Sequence, residues 1–248
     1  MTVVLFQHGL GGDEAQVMRH WPETPAQRVT RNSRGHGGTG LGAERPFSLA
    51  MFADEALAAV QAPRFVAAGI SMGAAIALRL ACLHPARVAG LVLIRPAWGF
   101  DPAPANMAPV RDIAGLLRRM PPAKARATFA ASALGQRLAR DAPDNLASLL
   151  AYCDRPDAAE FATVLADIAA DGPGITPRDA AALRLPCLIL ANDGDMIHPL
   201  ATAGQLAAAI PGARLAEVPP KSTAPEAHLA AIRTALAAFL SSVAKAQP

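Results

Sequence analysis

Short apolar runs alternate along the chain with longer segments in which apolar residues recur at helical spacing. Buried strands of a parallel sheet read as continuous apolar runs, whereas amphipathic helices repeat every three to four residues. The predicted strands cover residues 2–6, 28–30 (a weaker signal), 64–70, 88–94, 186–191 and 214–218, and the predicted helices cover 48–60, 72–83, 202–210 and 229–240. This alternation predicts an α/β protein with a mostly parallel sheet of about six strands and helices on both faces.

The alternation stops between residues 97 and 185, where prolines and glycines separate helical segments and no strand signal appears. We therefore expect a core of residues 1–97 and 186–248, with a helical cap of residues 98–185 inserted between two strands. A cap over the carboxyl ends of parallel strands would cover the edge of the sheet where such proteins bind ligands. The alternative is a set of ordinary surface crossover helices.

Composition limits the classes of protein that the chain can be. Its 248 residues suffice for a large core, and a net charge of +3 with 52% hydrophobic residues argues against disorder and against nucleic-acid binding. The longest stretch without charged residues or histidine is Pro199–Ala213, which is shorter than the roughly 18 apolar residues of a membrane span. With no basic, apolar leader at the amino terminus, these features predict a cytoplasmic protein without a membrane partner.

Three cysteines, Cys82, Cys153 and Cys187, lie far apart and outside Cys-x-x-Cys spacing. An odd number at such spacing argues against a disulfide framework and against a zinc site. We expect buried, reduced thiols and no cofactor or metal.

A nucleophile motif follows the third predicted strand. Gly69-Ile70-Ser71-Met72-Gly73 fits Gly-x-Ser-x-Gly, and it lies between an apolar strand and an apolar helix. A sharp turn there lifts the serine hydroxyl above the sheet, while the flanking glycines relieve crowding between strand and helix. We interpret Ser71 as a nucleophile; a structural turn serine is the alternative.

Two further motifs resemble those of the α/β-hydrolase superfamily over nearly the whole chain. His8-Gly9-Leu10-Gly11-Gly12 is similar to its oxyanion loop, and Arg34-Gly35-His36-Gly37 to the segment after its next strand. The resemblance implies that the backbone amides of Leu10 and Met72 form an oxyanion hole. We expect no counterpart of the family's usual amino-terminal antiparallel hairpin, because the first predicted strand begins almost at residue 1.

In this superfamily the triad runs serine, acid, histidine along the chain. The resemblance implies Asp195 as the acid, with Asp193 and Asp101 as alternatives. It implies His228, at the start of the final helix, as the base. His198 lies three residues after Asp195 and is expected at the rim of the substrate pocket.

Further pocket residues are expected from the fourth strand and the cap. Trp98, Met107 and Met120, together with His198, are candidates for binding substrate, although buried core positions would explain the first three equally well. Arg95 could recognise a substrate carboxylate, but a structural ion pair is the favoured interpretation.

The resemblance implies a cofactor-free serine hydrolase that cleaves a small to medium ester, lactone or thioester through an acyl-enzyme on Ser71, most simply a carboxylic ester hydrolase. A carbon–carbon bond hydrolase or a perhydrolase with the same triad is an alternative, and a ligand-binding sensor with a vestigial triad is another. The expected partner is a small-molecule substrate; the sequence does not decide between a monomer and a homodimer.

Overall fold

The computed structural model describes residues 1–246 and contains one six-stranded sheet with the strand order β2-β1-β3-β4-β5-β6. All five strand pairings are parallel in the described residues. The prediction of about six parallel strands is confirmed. The strands are β1 (Val3–Gln7), β2 (Gln27–Val29), β3 (Phe65–Ile70), β4 (Val88–Ile94), β5 (Cys187–Ala191) and β6 (Arg214–Glu217).

Helices connect consecutive strands and form the long segment between β4 and β5. The α-helices are α1 (Glu14–His20), α2 (Leu49–Ala59), α3 (Met72–Leu83), α4 (Ala108–Leu117), α5 (Pro122–Ala131), α6 (Ala133–Asp141), α7 (Pro143–Leu150), α8 (Ala158–Ala170), α9 (Pro177–Ala181), α10 (Leu200–Ala209) and α11 (Pro225–Ala246). Short 3-10 helices cover Ala105–Met107 and Ala151–Asp154.

The two faces of the sheet carry separate apolar clusters, because successive side chains of a strand point to opposite faces. Along β4, Leu91 and Leu93 join one cluster, which includes helices α2 and α3. Val92 and Ile94 join the other, which α11 completes. The central strands β3 and β4 are buried at every position. This packing fixes the carboxyl end of β3, which Ser71 follows directly.

The segment between β4 and β5, called here the insertion (residues 95–186), contains helices α4 to α9 and no strand in the described residues. Its buried side chains, such as Phe129, Phe161 and Leu165, belong to the same apolar cluster as one face of the sheet. The helical character of the insertion agrees with the sequence pattern, whereas the division of the chain into a core and a cap stays a prediction.

Helix α11 is the one helix within residues 1–246 that is long and apolar enough, by length and composition alone, to cross a membrane. A core helix of a folded protein passes the same test, and Ile232, Leu236 and Phe239 of α11 are buried against the sheet. The expectations of no membrane partner and a cytoplasmic location therefore stay predictions.

Candidate active site

Ser71 lies at a sharp turn between β3 and α3. Its φ angle is 54°, a left-handed conformation that is strained for a residue with a side chain. A Cβ at Gly69 would overlap the carbonyl group of Gly73, and a Cβ at Gly73 would overlap the backbone of Gln7. The glycines of the motif thus allow strand and helix to approach closely enough to hold Ser71 in this turn.

The side chain that meets Ser71 is His198. Its Nε2 lies 2.8 Å from Ser71 Oγ, and its Nδ1 lies 2.9 Å from Asp195 Oδ2. An ionised carboxylate only accepts hydrogen bonds, so Nδ1 carries the ring proton and Nε2 accepts the hydroxyl hydrogen of Ser71. Serine, histidine and aspartate form one chain of hydrogen bonds.

His228, the histidine expected at this place, lies elsewhere. Its Nδ1 is 2.8 Å from the carbonyl oxygen of Pro219, and its Nε2 is buried without a hydrogen-bond partner in the described residues. The connection between β6 and α11 thus supplies the hydrogen-bond partner of the His228 ring in place of Asp195. The expectation that His228 pairs with Asp195 is therefore wrong in its geometry.

Asp195 is the carboxylate that contacts His198. Its side chain is 1% exposed and accepts hydrogen bonds from the backbone amides of Ile197 (3.1 Å) and His198 (2.9 Å) and from Arg95 Nε (2.9 Å). Burial raises the pKa of Asp195, but the neighbouring His198 and Arg95 outweigh burial and hold that pKa well below its usual range. Asp195 is ionised at neutral pH.

The two alternative acids do not contact His198. Asp193 is exposed, and its Oδ1 accepts a hydrogen bond of 2.7 Å from the amide of Gly194, as is typical of a turn residue. Asp101 is also exposed. Neither carboxylate belongs to the hydrogen-bonded chain.

Arg95 forms the structural ion pair that the sequence analysis favours. It is buried, and its guanidinium contacts Asp195 and lies 3.7 Å from Asp144 of α7. Lys221 lies 3.6 Å from the same carboxylate oxygen of Asp144. Sequence reasoning did not identify Lys221 or Asp144.

The backbone amides of Leu10 and Met72 make no hydrogen bond to another protein group in residues 1–246. Leu10 and Ser71 line the same cavity, and Met72 is the first residue of α3. Free amides beside a nucleophile and at a helix amino terminus can stabilise developing negative charge.

Three side chains fix the loop that carries Leu10. Gln16 Oε1 accepts from the amide of Gly9 (2.7 Å), His36 Nε2 accepts from the amide of Gly11 (3.0 Å), and the hydroxyl of Tyr152 donates to the carbonyl of Leu10 (3.1 Å). Burial lowers the pKa of His36 to about 3, so the ring stays neutral and keeps this lone pair. The loop is thus held from α1, from the segment after β2 and from the insertion.

A cavity of about 100 Å³, here called the Ser71 cavity, opens beside the nucleophile. Met107 and His198 lie in its wall. Trp98 and Met120 do not line it in the described chain: Trp98 is buried and donates from Nε1 to the carbonyl of Asp171 (3.0 Å), and Met120 packs against the apolar core. The other lining residues are Gly9, Leu10, Gln16, Ile70, Ser71, Arg95, Val110, Asn145, Ser148, Leu149, Tyr152, Ile197 and Lys221.

Asn145, another residue that sequence reasoning missed, connects the insertion to the loop of Asp195 and His198. Its Oδ1 accepts hydrogen bonds from the amides of Met196 (2.7 Å) and Ile197 (3.2 Å), and the residue is 2% exposed. Helix α7 therefore holds the loop that carries both the acid and the histidine.

We expect Asn145→Leu to lower kcat by about tenfold, because the amide of Met196 loses its acceptor, the amide of Ile197 keeps only Asp195 Oδ1, and an unsatisfied buried amide typically costs about 1–3 kcal/mol. Asn145→Asp keeps an acceptor oxygen in the same place and should retain more activity. Steady-state kinetics with phenyl acetate, and a melting curve for each variant, measure this difference. Equal activities of the Leu and Asp variants would show that the acceptor does not position the loop.

Among residues 1–246, no group of three or more His, Cys, Asp or Glu side chains is arranged to hold a metal ion. The three cysteines are free thiols, and burial raises the pKa of each. That the protein works without a cofactor stays a prediction.

Comparison with known proteins identifies the family. The family model of the alpha/beta hydrolase fold matches residues 2–222. The chain is 30% identical over 235 residues to the "Putative carbamate hydrolase RutD" of Klebsiella pneumoniae (strain 342), covering 88% of this chain and 82% of that protein.

Two solved structures have the same fold. The enol-lactonase of Burkholderia xenovorans LB400 superposes with a TM-score of 0.71 at 20% identity, covering 97% of this chain and 91% of the other. A thermophilic esterase of Thermogutta terrifontis gives a TM-score of 0.71 at 22% identity, covering 98% and 90%. The chain belongs to the α/β-hydrolase family.

Proposed function

We propose that this protein is a serine hydrolase of a small to medium ester, lactone or thioester, with Ser71 as nucleophile, His198 as general base and Asp195 as the acid that orients His198. The observation that supports this most is the chain of hydrogen bonds from Ser71 Oγ through the His198 ring to Asp195. His198 replaces His228 in the role expected from sequence.

In the first half of the reaction, His198 Nε2 takes the hydroxyl proton of Ser71 while Oγ forms a bond to the substrate carbonyl carbon. The tetrahedral intermediate collapses, the bond to the leaving alcohol or thiol breaks, and that group takes the proton from His198. Water then attacks the acyl group and gives one proton to His198. Collapse of the second intermediate returns the proton to Ser71 and releases the acid.

The roles of Asp195 and of the two free amides follow from charge. Ionised Asp195 keeps the proton of neutral His198 on Nδ1 and stabilises the imidazolium that forms after proton transfer. The amides of Leu10 and Met72 bind the oxyanion, and one such donor is typically worth roughly 10²- to 10³-fold in rate.

A carbamate is the second candidate substrate, because the 30% identical relative is named a carbamate hydrolase. A carbamate presents a carbonyl carbon to the same nucleophile, so the proposed groups could act without change. A carbon–carbon bond hydrolase and a perhydrolase use comparable groups and stay as alternatives. A pure sensor would need the cavity but not the hydrogen-bonded serine, histidine and aspartate, which favours turnover.

The test combines a fluorophosphonate probe with a panel of phenyl esters, lactones, thioesters and carbamates. We expect the probe to label Ser71 and the Ser71→Ala variant to remain unlabelled. Rapid labelling without turnover on any substrate would favour the sensor. A folded protein that is not labelled at any pH would refute Ser71 as the nucleophile.

In a plot of kcat/KM against pH, the midpoint of the acidic limb should lie below the usual histidine pKa of about 6.5. Burial lowers the pKa of His198; Asp195 raises it and Arg95 lowers it, with a net decrease. His198 acts as a base only when neutral, so activity is present above its pKa and falls as pH drops through it. Hydrolysis of phenyl acetate, followed by chromatography between pH 4 and 8, measures the limb. A limb above pH 7 would contradict the assignment.

A further inference from the structure

A second cavity adjoins the Ser71 cavity and is not used by the proposed reaction. This side cavity, of about 310 Å³, lies between α1 and the first turn of α11. It shares four wall residues with the Ser71 cavity, so the two cavities lie next to each other. The shared residues are Gln16, Ile70, Arg95 and Lys221.

Lys221 is the cation at this junction that has donors to spare. Its side chain is 35% exposed, and its one partner in the described residues is Asp144, with which it forms a salt bridge. The nearest carboxylate oxygen, on Asp144, is 3.6 Å away. The other shared cation, Arg95, is engaged with Asp195. An ammonium with free donors at the edge of two cavities is suited to bind an anion.

The remaining charges of the side cavity lie at its rim. Arg19 and Glu226 are both exposed and of opposite sign. Inside the cavity, burial and the nearby Arg95 lower the pKa of Lys221. An anion beside Lys221 would favour the charged form of the lysine. The pair would be partly shielded from bulk water, and charge pairs are stronger in such surroundings than in water.

We propose that Lys221 binds a carboxylate carried by the acyl part of the substrate, in the side cavity, so that the preferred substrates are half-esters of short dicarboxylic acids. This proposal rests on the proposed function, since it assumes that the ester carbonyl lies at Ser71. Attack, acyl-enzyme formation and hydrolysis proceed as described above, and the free carboxylate takes no part in bond changes. Lys221 is then a specificity-determining residue.

Binding without turnover tests the subsite directly. In the Ser71→Ala protein we expect monomethyl succinate, monomethyl glutarate or monomethyl adipate to bind about 10- to 100-fold more tightly than its neutral amide analogue, as a charge-assisted hydrogen bond of about 1.5–3 kcal/mol implies. Titration calorimetry measures both affinities. Adding Lys221→Met should remove the preference, and Lys221→Arg should keep part of it. Lys124→Met, an exposed lysine on α5, is the matched control and should keep all of it.

Turnover by the unaltered protein separates the two proposals. If the protein cleaves the half-esters, and prefers them to their neutral amide analogues by the same factor as in binding, both proposals are supported. Ester cleavage without any carboxylate preference, together with equal binding of half-ester and amide in the Ser71→Ala protein, overturns the role of Lys221 alone. Preferential, Lys221-dependent binding without cleavage of any ester, lactone or thioester refutes the proposed function and leaves the carboxylate subsite standing. A melting curve for the Lys221→Met protein establishes that it is folded.

Discussion

Replacing His198 by alanine is expected to lower kcat by roughly 10⁴- to 10⁶-fold, about as much as replacing Ser71 by alanine. Without the ring at 2.8 Å from Ser71 Oγ, no group accepts the hydroxyl proton when the serine attacks. Because the two residues act as one unit, the Ser71→Ala/His198→Ala double variant should be little slower than either single variant. Single-turnover and steady-state rates with phenyl acetate measure all three.

The matched control is His228→Gln. His228 contacts the carbonyl of Pro219, and glutamine can donate a hydrogen bond to the same carbonyl, so this variant should keep at least about a tenth of the activity. Loss of turnover in His228→Gln with activity retained in His198→Ala would restore the histidine expected from sequence. Melting curves establish whether each variant is folded at the assay temperature.

The sheet and the position of Ser71 could be predicted because both depend on local pattern. Continuous apolar runs at β3 and β4 indicated buried parallel strands, and both strands are buried throughout. The two glycines around Ser71 indicated a tight strand-to-helix turn, and the structure shows that side chains there would overlap backbone. Helix α1 was missed, although Asp13 is an N-cap whose side chain accepts from the amide of Ala15.

The histidine could not be predicted in the same way. Asp195 and His198 are three residues apart in a loop, and their side chains meet because Asp195 Oδ1 accepts from the amides of residues 197 and 198 and closes a turn. Neither strand nor helix periodicity describes such a turn. The order of triad residues in related proteins pointed to His228, but the path between β6 and α11 decides where that ring lies.

Contacts between the insertion and the loops that follow β5 and β6 could not be predicted from the sequence pattern either. Asn145 reaches Met196 and Ile197 across about fifty residues, and Lys221 lies near Asp144 across a still longer stretch. Such pairs depend on how the insertion packs over the sheet. Trp98 comes four residues after the end of β4, yet it is buried beside Asp171 instead of in the cavity wall.

Replacing Asp195 by asparagine should lower kcat by about 10³- to 10⁴-fold while the fold persists. An amide can turn its NH₂ group toward His198 Nδ1, and that hydrogen bond favours the ring form with its proton on Nε2. His198 could then no longer accept the proton of Ser71, although its position would hardly change. A downfield imidazole proton signal at Nδ1, present in the original protein and lost in the variant, would report this change alongside the kinetics.

Asp193→Asn is the matched control, since Asp193 lies two residues away in an exposed turn and asparagine can accept the same hydrogen bond from Gly194. It should keep nearly full activity. The Asp195→Asn protein should also melt at a lower temperature, because Arg95 loses the buried charge it pairs with, and breaking a buried pair is typically worth about 3–5 kcal/mol. Rates are therefore compared below that melting point. Nearly full turnover in folded Asp195→Asn protein would refute Asp195 as the acid, and a collapse of activity in Asp193→Asn would move the role to that carboxylate.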